Sequence, residues 1–279
     1  MVHHVQARAV KRGWERRRLN LPTLLDIDET SFRKRHRYVT VIKDMNGHML
    51  SVVEGRKQAT VDGFLKDMDA SMRDGLKAVA MDMWQAYGNA VCKHIKAEIA
   101  NDRFYVMSHI SHAVGLVRRK EHRELLACGD DRLKATKYLW LTRSDRLEGH
   151  GLDRFQQLLQ SSQRTVRAWW RREMADHLWG FSDYASAAQT WKHWAMDNLR
   201  DHQEPMKKVE QMVLKHLNGI AVVASTGVTN AHAESLNAKI QKVKRMAHDY
   251  RNMGSFKNDV YFHCGGLSMY FGRTSSTTK

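Results

Sequence analysis

Between Leu24 and Val53 the chain sets three short β-branched or apolar segments in succession, and this arrangement constrains the fold more than any other stretch. Leu24-Leu25-Asp26-Ile27-Asp28 reads as a buried strand ending in acid, Tyr38-Val39-Thr40-Val41-Ile42 as a second strand and Met49 to Val53 as a third. Asn46-Gly47 lies between the last two, a pair that favours positive φ in a tight hairpin. Strands joined by tight turns form an antiparallel meander, and the first one delivers its acidic end to one edge of the sheet. Thr60 to Met72 then carries Val61, Phe64, Leu65 and Met68 at helical spacing, and Leu76 to Met81 is an apolar run that stops at Asp82. Ala86 to Ile99 reads as an amphipathic helix, Arg103 to Met107 as a fifth strand and Ser111 to Arg118 as a helix. The predicted order is β-β-β-α-β-α-β-α.

After about residue 120 the strand signals stop, and through Lys215 the periodicity is helical. Six of the eight tryptophans (Trp140, Trp169, Trp170, Trp179, Trp191, Trp194) fall here, a density that fits an apolar core better than a binding surface. Ile220 to Ala224 is a brief apolar run and Ser225 to Thr229 a turn. Asn230 to Met246 is a strong helix with Ala233, Leu236, Ile240 and Val243 on its buried stripe. The organisation read from this texture is a basic segment over 1–20, the first part of a sheet domain over 21–119, an all-helical insertion over 120–217, the rest of the sheet domain over 218–272 and a disordered polar tail over 273–279. The basic segment, with Arg8, Lys11, Arg12, Arg16, Arg17 and Arg18 against Glu15, reads as a helix, a solvated tail or a DNA-contacting arm.

Charge narrows the partner. Lys and Arg number 46 against 30 acids, a formal charge of +16, which points to a polyanion, with nucleic acid first and an anionic membrane surface second. The three cysteines are far apart and lack zinc-knuckle spacing, so they are expected to be reduced, buried thiols. No apolar run reaches about 18 residues and no signal-peptide pattern opens the chain, so a soluble, cytoplasmic protein is expected.

Asp28 and Asp82 end predicted strands and Glu234 stands on a late helix. A three-stranded meander followed by α-β-α-β is the chain order of a ribonuclease H-like sheet, in which the first and fourth strands are neighbours. That order brings Asp28 and Asp82 together. Paired carboxylates repel unless a proton or cation separates them, and hard oxygen ligands suit Mg²⁺, with Mn²⁺ as substitute. With Glu234 as a third ligand, two ions could be clamped about 4 Å apart for in-line displacement at phosphorus. Each acid also has a plain alternative, as turn former, helix cap or surface carboxylate, and strand alternation leaves open whether Asp28 or Glu29 faces the site.

The segments Ile27-Asp28-Glu29-Thr30-Ser31-Phe32-Arg33-Lys34, Ala80-Met81-Asp82-Met83-Trp84-Gln85-Ala86-Tyr87, Asp102-Arg103-Phe104 and Asn230 to Ile240, followed by Lys244-Arg245 and Tyr250-Arg251-Asn252, resemble the catalytic domain of bacterial insertion-sequence transposases of the ISL3 family. The likeness covers roughly residues 5 to 265. It implies a DDE transposase: an α/β, RNase H-like mixed sheet flanked by helices, with an all-α insertion before the last catalytic helix. It makes Asp28, Asp82 and Glu234 the metal-binding triad, with Asp102, Tyr105 and Asn237 as candidates for supporting positions. The implied chemistry is Mg²⁺-dependent cleavage at element ends and strand transfer into target DNA, by a homodimer or larger assembly on DNA in the bacterial cytoplasm, associated with the nucleoid. Arg33, Lys34, Lys239, Lys242, Lys244, Arg245 and Arg251 are the expected phosphate contacts. Two departures stand out: the family's Asp-Arg-Phe-His ends here in Tyr105, and the N-terminal zinc-binding and helix-turn-helix region usual in the family has only the basic stretch up to Asn20 as its counterpart. The other readings are an inactive, transposase-derived DNA-binding protein and a stand-alone nuclease of the same fold.

Overall fold

The computed structural model describes the chain except for residues 1, 18–20, 34–36, 162, 198–202, 229–230, 248–249, 251 and 270–279, and describes the backbone alone at 2–3, 33, 37 and 231–234. It divides into two compact units, Met1–Ala100 with Val228–Lys279, and Asn101–Gly227. Among the described residues no helix is long and apolar enough to cross a membrane.

The first unit opens with α1 (Val2–Glu15), followed by β1 (Leu24–Arg33), β2 (Arg37–Asp44) and β3 (Met49–Glu54). Helices α2 (Gln58–Asp67) and α3 (Ala70–Asp74), strand β4 (Ala78–Met81), helix α4 (Gln85–His94) and strand β5 (Glu98–Asn101) follow. The sheet order is β3-β2-β1-β4-β5. β1 and β2 pair antiparallel, as do β2 and β3, whereas β1 and β4 are parallel. This is a mixed five-stranded sheet of the RNase H-like kind, with the first and fourth strands side by side. The β2–β3 hairpin turns where Asn46-Gly47 predicts it. Gly47 takes φ +81°, and the Asp44 carboxylate accepts the backbone N–H groups of Asn46 and His48 at 2.9 and 2.8 Å.

Alternation along β1 sends Leu25 and Ile27 to one face, where they join Ile42, Val61, Leu65, Val79, Tyr87 and Val91 in a core beneath the helices α2 and α4. The opposite face carries Phe32, Val39 and Val41, which pack with Leu236, Ile240, Val243, Phe256 and Val260. Those last residues come from α12 (Ala231–Met246) and α13 (Met253–Cys264), introduced here ahead of the helical unit's α5 to α11. The N-terminal basic stretch is helical, and its Val10 belongs to this second core, with Trp14 edge-on to Tyr261 at 5.2 Å.

The second unit is all-helical: α5 (Arg103–Ala127), α6 (Lys137–Leu141), α7 (Gly149–Ser161), α8 (Gln163–His177), α9 (Tyr184–Met196), α10 (Glu204–Lys215) and α11 (Leu217–Thr226). Trp140, Trp169, Trp191 and Trp194 are buried in it, while Trp170 is exposed. Glu121 of α5 caps the start of α8, accepting from Thr165 N at 2.7 Å and Thr165 Oγ1 at 2.5 Å.

Four local expectations are corrected. Arg103 to Met107 is the first turn of α5 and not a strand, because Asp102 caps it by accepting from Phe104 N at 2.6 Å; the fifth strand lies just before, at Glu98–Asn101. The helix expected over Thr60 to Met72 is two helices, broken where Asp69 takes an extended backbone and caps α3. Ser225 and Thr226, expected in a turn, are the last residues of α11, which also contains Ile220 to Ala224. Cys92 and Cys128 are exposed, and only Cys264 is buried. The tail expected to be disordered, 273–279, lies outside the described residues.

Candidate functional site

The register of the two central strands builds the site. Leu24 pairs with Ala78 and the parallel ladder continues to Ile27 opposite Met81. Asp28 and Asp82 are each the next residue, so the shared register sets the two carboxylates at one level of the sheet; Asp82 follows the end of β4, whereas Asp28, expected to end its strand, lies within β1, which stays paired with β2 as far as Arg33. Asp28 is held on both oxygens: Glu29 N donates to Oδ1 at 2.7 Å, and the Asn237 side-chain amide donates to Oδ2. Asp82 accepts from Trp84 N at 3.0 Å, so it also shapes the turn that starts α4.

Burial pushes the Asp82 carboxyl up to about 6; the Trp84 N–H works against the shift, while the charges of Glu29 and Asp28 add to it. The same two acids and Asp82 contribute to raising the Tyr87 hydroxyl, whose main cause is again burial, offset by its hydrogen bond with Thr40 at 2.9 Å.

Asp28 and Glu29 lie on opposite faces of β1, and the charges of both act on Asp82. Asp28 shares its face with Asp26 and reaches α12, while Glu29 turns to the other face and pairs with Arg56 at 3.4 Å. Arg56 in turn lies over the rings of Tyr38 and Trp84, at 4.0 and 5.6 Å, and Trp84 is 46% exposed.

Helix α12 lies against β1, where Asn237 donates to Asp28, Gln241 Nε2 to Thr30 Oγ1 at 3.0 Å and Lys244 Nζ to Ser31 Oγ at 3.4 Å. Glu234 lies on this helix just under one turn before Asn237, with its side chain outside what the structure describes. Lys239, Lys242 and Arg245 are exposed on α12. Lys34 and Arg251, and the side chain of Arg33, also lie outside the description. Asp102 and Tyr105 belong to the helical unit, Asp102 as the cap of α5 and Tyr105 edge-on to Phe104 at 5.8 Å.

Two side chains of the site were not singled out from the sequence: Asp26, two residues before Asp28 on the same face, and Lys43, its partner across the β1–β2 ladder. Their signal was present in the alternation, since Val39, Val41 and Lys43 share a face and a lysine there must be buried.

Among the described residues no three histidine, cysteine or acidic side chains gather as a metal cluster. The donor set still fits a hard divalent cation: two carboxylates at one level of neighbouring strands, electrostatically coupled, with one pushed toward the protonated state chiefly by burial.

A mixed sheet in this order, with one acid on β1, a second just past the end of β4 and a returning helix against β1, defines an RNase H-like protein. The family model of ISL3 transposases, described as "Transposase", matches residues 25–260. Similar proteins include the transposase for insertion sequence element IS1001 of Bordetella parapertussis, 29% identical over 237 residues, covering 83% of this chain and 58% of that protein. The transposase for IS1557 of Mycobacterium tuberculosis is 22% identical over 256 residues, covering 82% of this chain and 57% of its own length. The chain therefore belongs to the ISL3 family of DDE transposases, and it spans a little over half the length of these relatives.

Proposed function

We propose that this chain is the catalytic portion of an insertion-sequence transposase, cleaving a phosphodiester at each element end and joining the released 3′-hydroxyl to target DNA. The observation that supports it best is the Ile27–Met81 pairing, which sets Asp28 beside Asp82 at the sheet's centre. Asp28, Asp82 and Glu234 would hold Mg²⁺, or Mn²⁺ in its place. When bound, such ions activate an attacking oxygen and offset charge on the leaving one.

The chain's own residues prepare that site. Glu29 N–H and Asn237 fix the Asp28 carboxylate, and Trp84 N–H fixes Asp82, so both are placed before substrate arrives. Lys239, Lys242, Lys244 and Arg245 on α12, with Arg33, Lys34 and Arg251, would contact phosphates beside the acids. Such contacts position the strand and give affinity without reading sequence. Asp102 and Tyr105 take supporting roles, Asp102 by capping the helix that carries Tyr105. Two ends must be held together, so the working form is a dimer or larger on DNA.

The test is cleavage and strand transfer of linear DNA bearing the element's ends, in Mg²⁺ and in Mn²⁺, for the parent chain, Asp82→Asn and Glu234→Gln. Both variants should lose at least about 10³-fold in rate while keeping DNA binding. A parent chain that binds this DNA and never cuts it refutes the proposal in favour of a binding protein. Cutting without joining of pre-cleaved ends refutes it in favour of a nuclease.

A further inference from the structure

Lys43 is 1% exposed on the sheet face that carries Asp26 and Asp28. An ammonium so placed costs several kcal/mol unless it is paired and hydrogen-bonded. Its Nζ lies 3.1 Å from Asp26 Oδ2 and donates to Asn237 Oδ1, also at 3.1 Å. From its other end Asn237 donates through Nδ2 to Asp28 Oδ2. An ammonium can only donate, an ionised carboxylate can only accept, and an amide does both. Wedged between the two, the Asn237 amide has one orientation that satisfies both neighbours: oxygen toward Lys43, nitrogen toward Asp28.

We propose that Lys43, anchored by Asp26, is a positioning residue that locks the Asn237 amide and through it aims the Asp28 carboxylate at the divalent cation. The inference rests on the reading of Asp28 as a metal ligand. Glu29 N–H on one oxygen and the locked amide on the other fix the plane of the carboxylate, so capture of a cation costs little further side-chain ordering. With Lys43 absent, the amide oxygen loses its donor and can swing toward Asp28, where oxygen meets oxygen and the aim is lost. A lysine present only to neutralise Asp26 would behave differently, because it could be removed together with its partner at no cost to the metal.

That difference sets the experiment. Mn²⁺ dissociation constants, read from the free-ion electron paramagnetic resonance signal, and melting temperatures are measured on the full chain for the parent, the double variant Asp26→Leu/Lys43→Met, Asn237→Ala and the triple combination. The double variant exchanges a buried ion pair for apolar groups and should melt within a few degrees of the parent, yet bind Mn²⁺ about tenfold more weakly or worse. Asn237→Ala should show a similar loss, and the triple variant should be no weaker than Asn237→Ala, because Lys43 acts through the amide. Parent-like Mn²⁺ affinity in the double variant, or losses that multiply in the triple, would overturn the proposal. Should the double variant fail to fold, Asn237→Ala decides: a tenfold loss at unchanged melting temperature supports the proposal and unchanged affinity overturns it. A parent chain that takes up no Mn²⁺ at all refutes the metal reading itself, an outcome distinct from parent and variants binding alike.

Discussion

The Asp82 carboxyl, raised to about 6 from an ordinary 3.8 chiefly by burial, ties the site to stability. Between those two values the folded chain retains a proton that the unfolded chain has released, so this group's contribution favours folding at the acid end and fades as pH rises through about 6. Above that, the parent carries a buried, crowded charge that Asp82→Asn does not. In metal-free buffer the melting temperature of Asp82→Asn, measured relative to the parent, should therefore rise from pH 4.5 to pH 7; a constant difference would refute the assignment. Added Mg²⁺ at pH 7 should raise the parent's melting temperature and leave the variant's unchanged. Cys264 gives a second readout. Burial pushes its thiol up to about 11, while Cys92 and Cys128 are exposed. Iodoacetamide at pH 8 should label those two within minutes and spare Cys264 until the chain unfolds, as intact-mass spectrometry will show. At this scale the sequence was informative where a short apolar run stops at an acid, as at Asp82 just past β4, but it ended β1 too early at Asp28, since the polar residues that follow hide a strand that runs on to Arg33. It did not distinguish Asp102 as a helix cap from Asp102 as a site residue, because an aspartate before a short apolar run has the same local appearance in both.

Helix α13 covers the core face that supports β1, and its ends and its buried side offer separate handles. The Asn252 side chain caps it, accepting from Ser255 N at 2.9 Å. Asn252→Ala should cost about 1 kcal/mol. Phe256, fully buried and packed on the rings of Phe32 and Tyr250, is a different matter: Phe256→Ala should cost roughly 3–5 kcal/mol. Denaturant titration of both variants checks the order, and equal losses would contradict it. Elements were legible where periodicity was long or a turn was chemically marked, as in α12 and the Asn46-Gly47 hairpin. They were misread where β-prone residues opened a helix. Phe104-Tyr105-Val106-Met107 has strand-like composition, yet the Asp102 cap satisfies the first N–H groups and the helix wins. Ile220 to Ala224 reads only as an apolar run, because it gives no period to separate a buried strand from the buried helix it forms.

For the whole molecule, the formal charge of +16 makes affinity for DNA a function of salt. On the proposed function, removing Lys239, Lys242 and Arg245 together by alanine substitution should flatten the slope of log affinity against log salt by about 2 to 3, and weaken binding equally on all sequences. Fluorescence anisotropy across a salt series measures it; an unchanged slope would place the DNA elsewhere. The division of the chain also has a temporal meaning. The strands β1 to β5 are made first, but Leu236, Ile240, Phe256 and Val260, which cover one face of that sheet, follow only after the whole of Asn101–Gly227. At about 5–20 residues per second on the ribosome, that apolar face waits on the order of ten seconds for its cover. A growing chain is thus at its stickiest in mid-synthesis, and only once α12 has emerged can Asn237 close on Asp28.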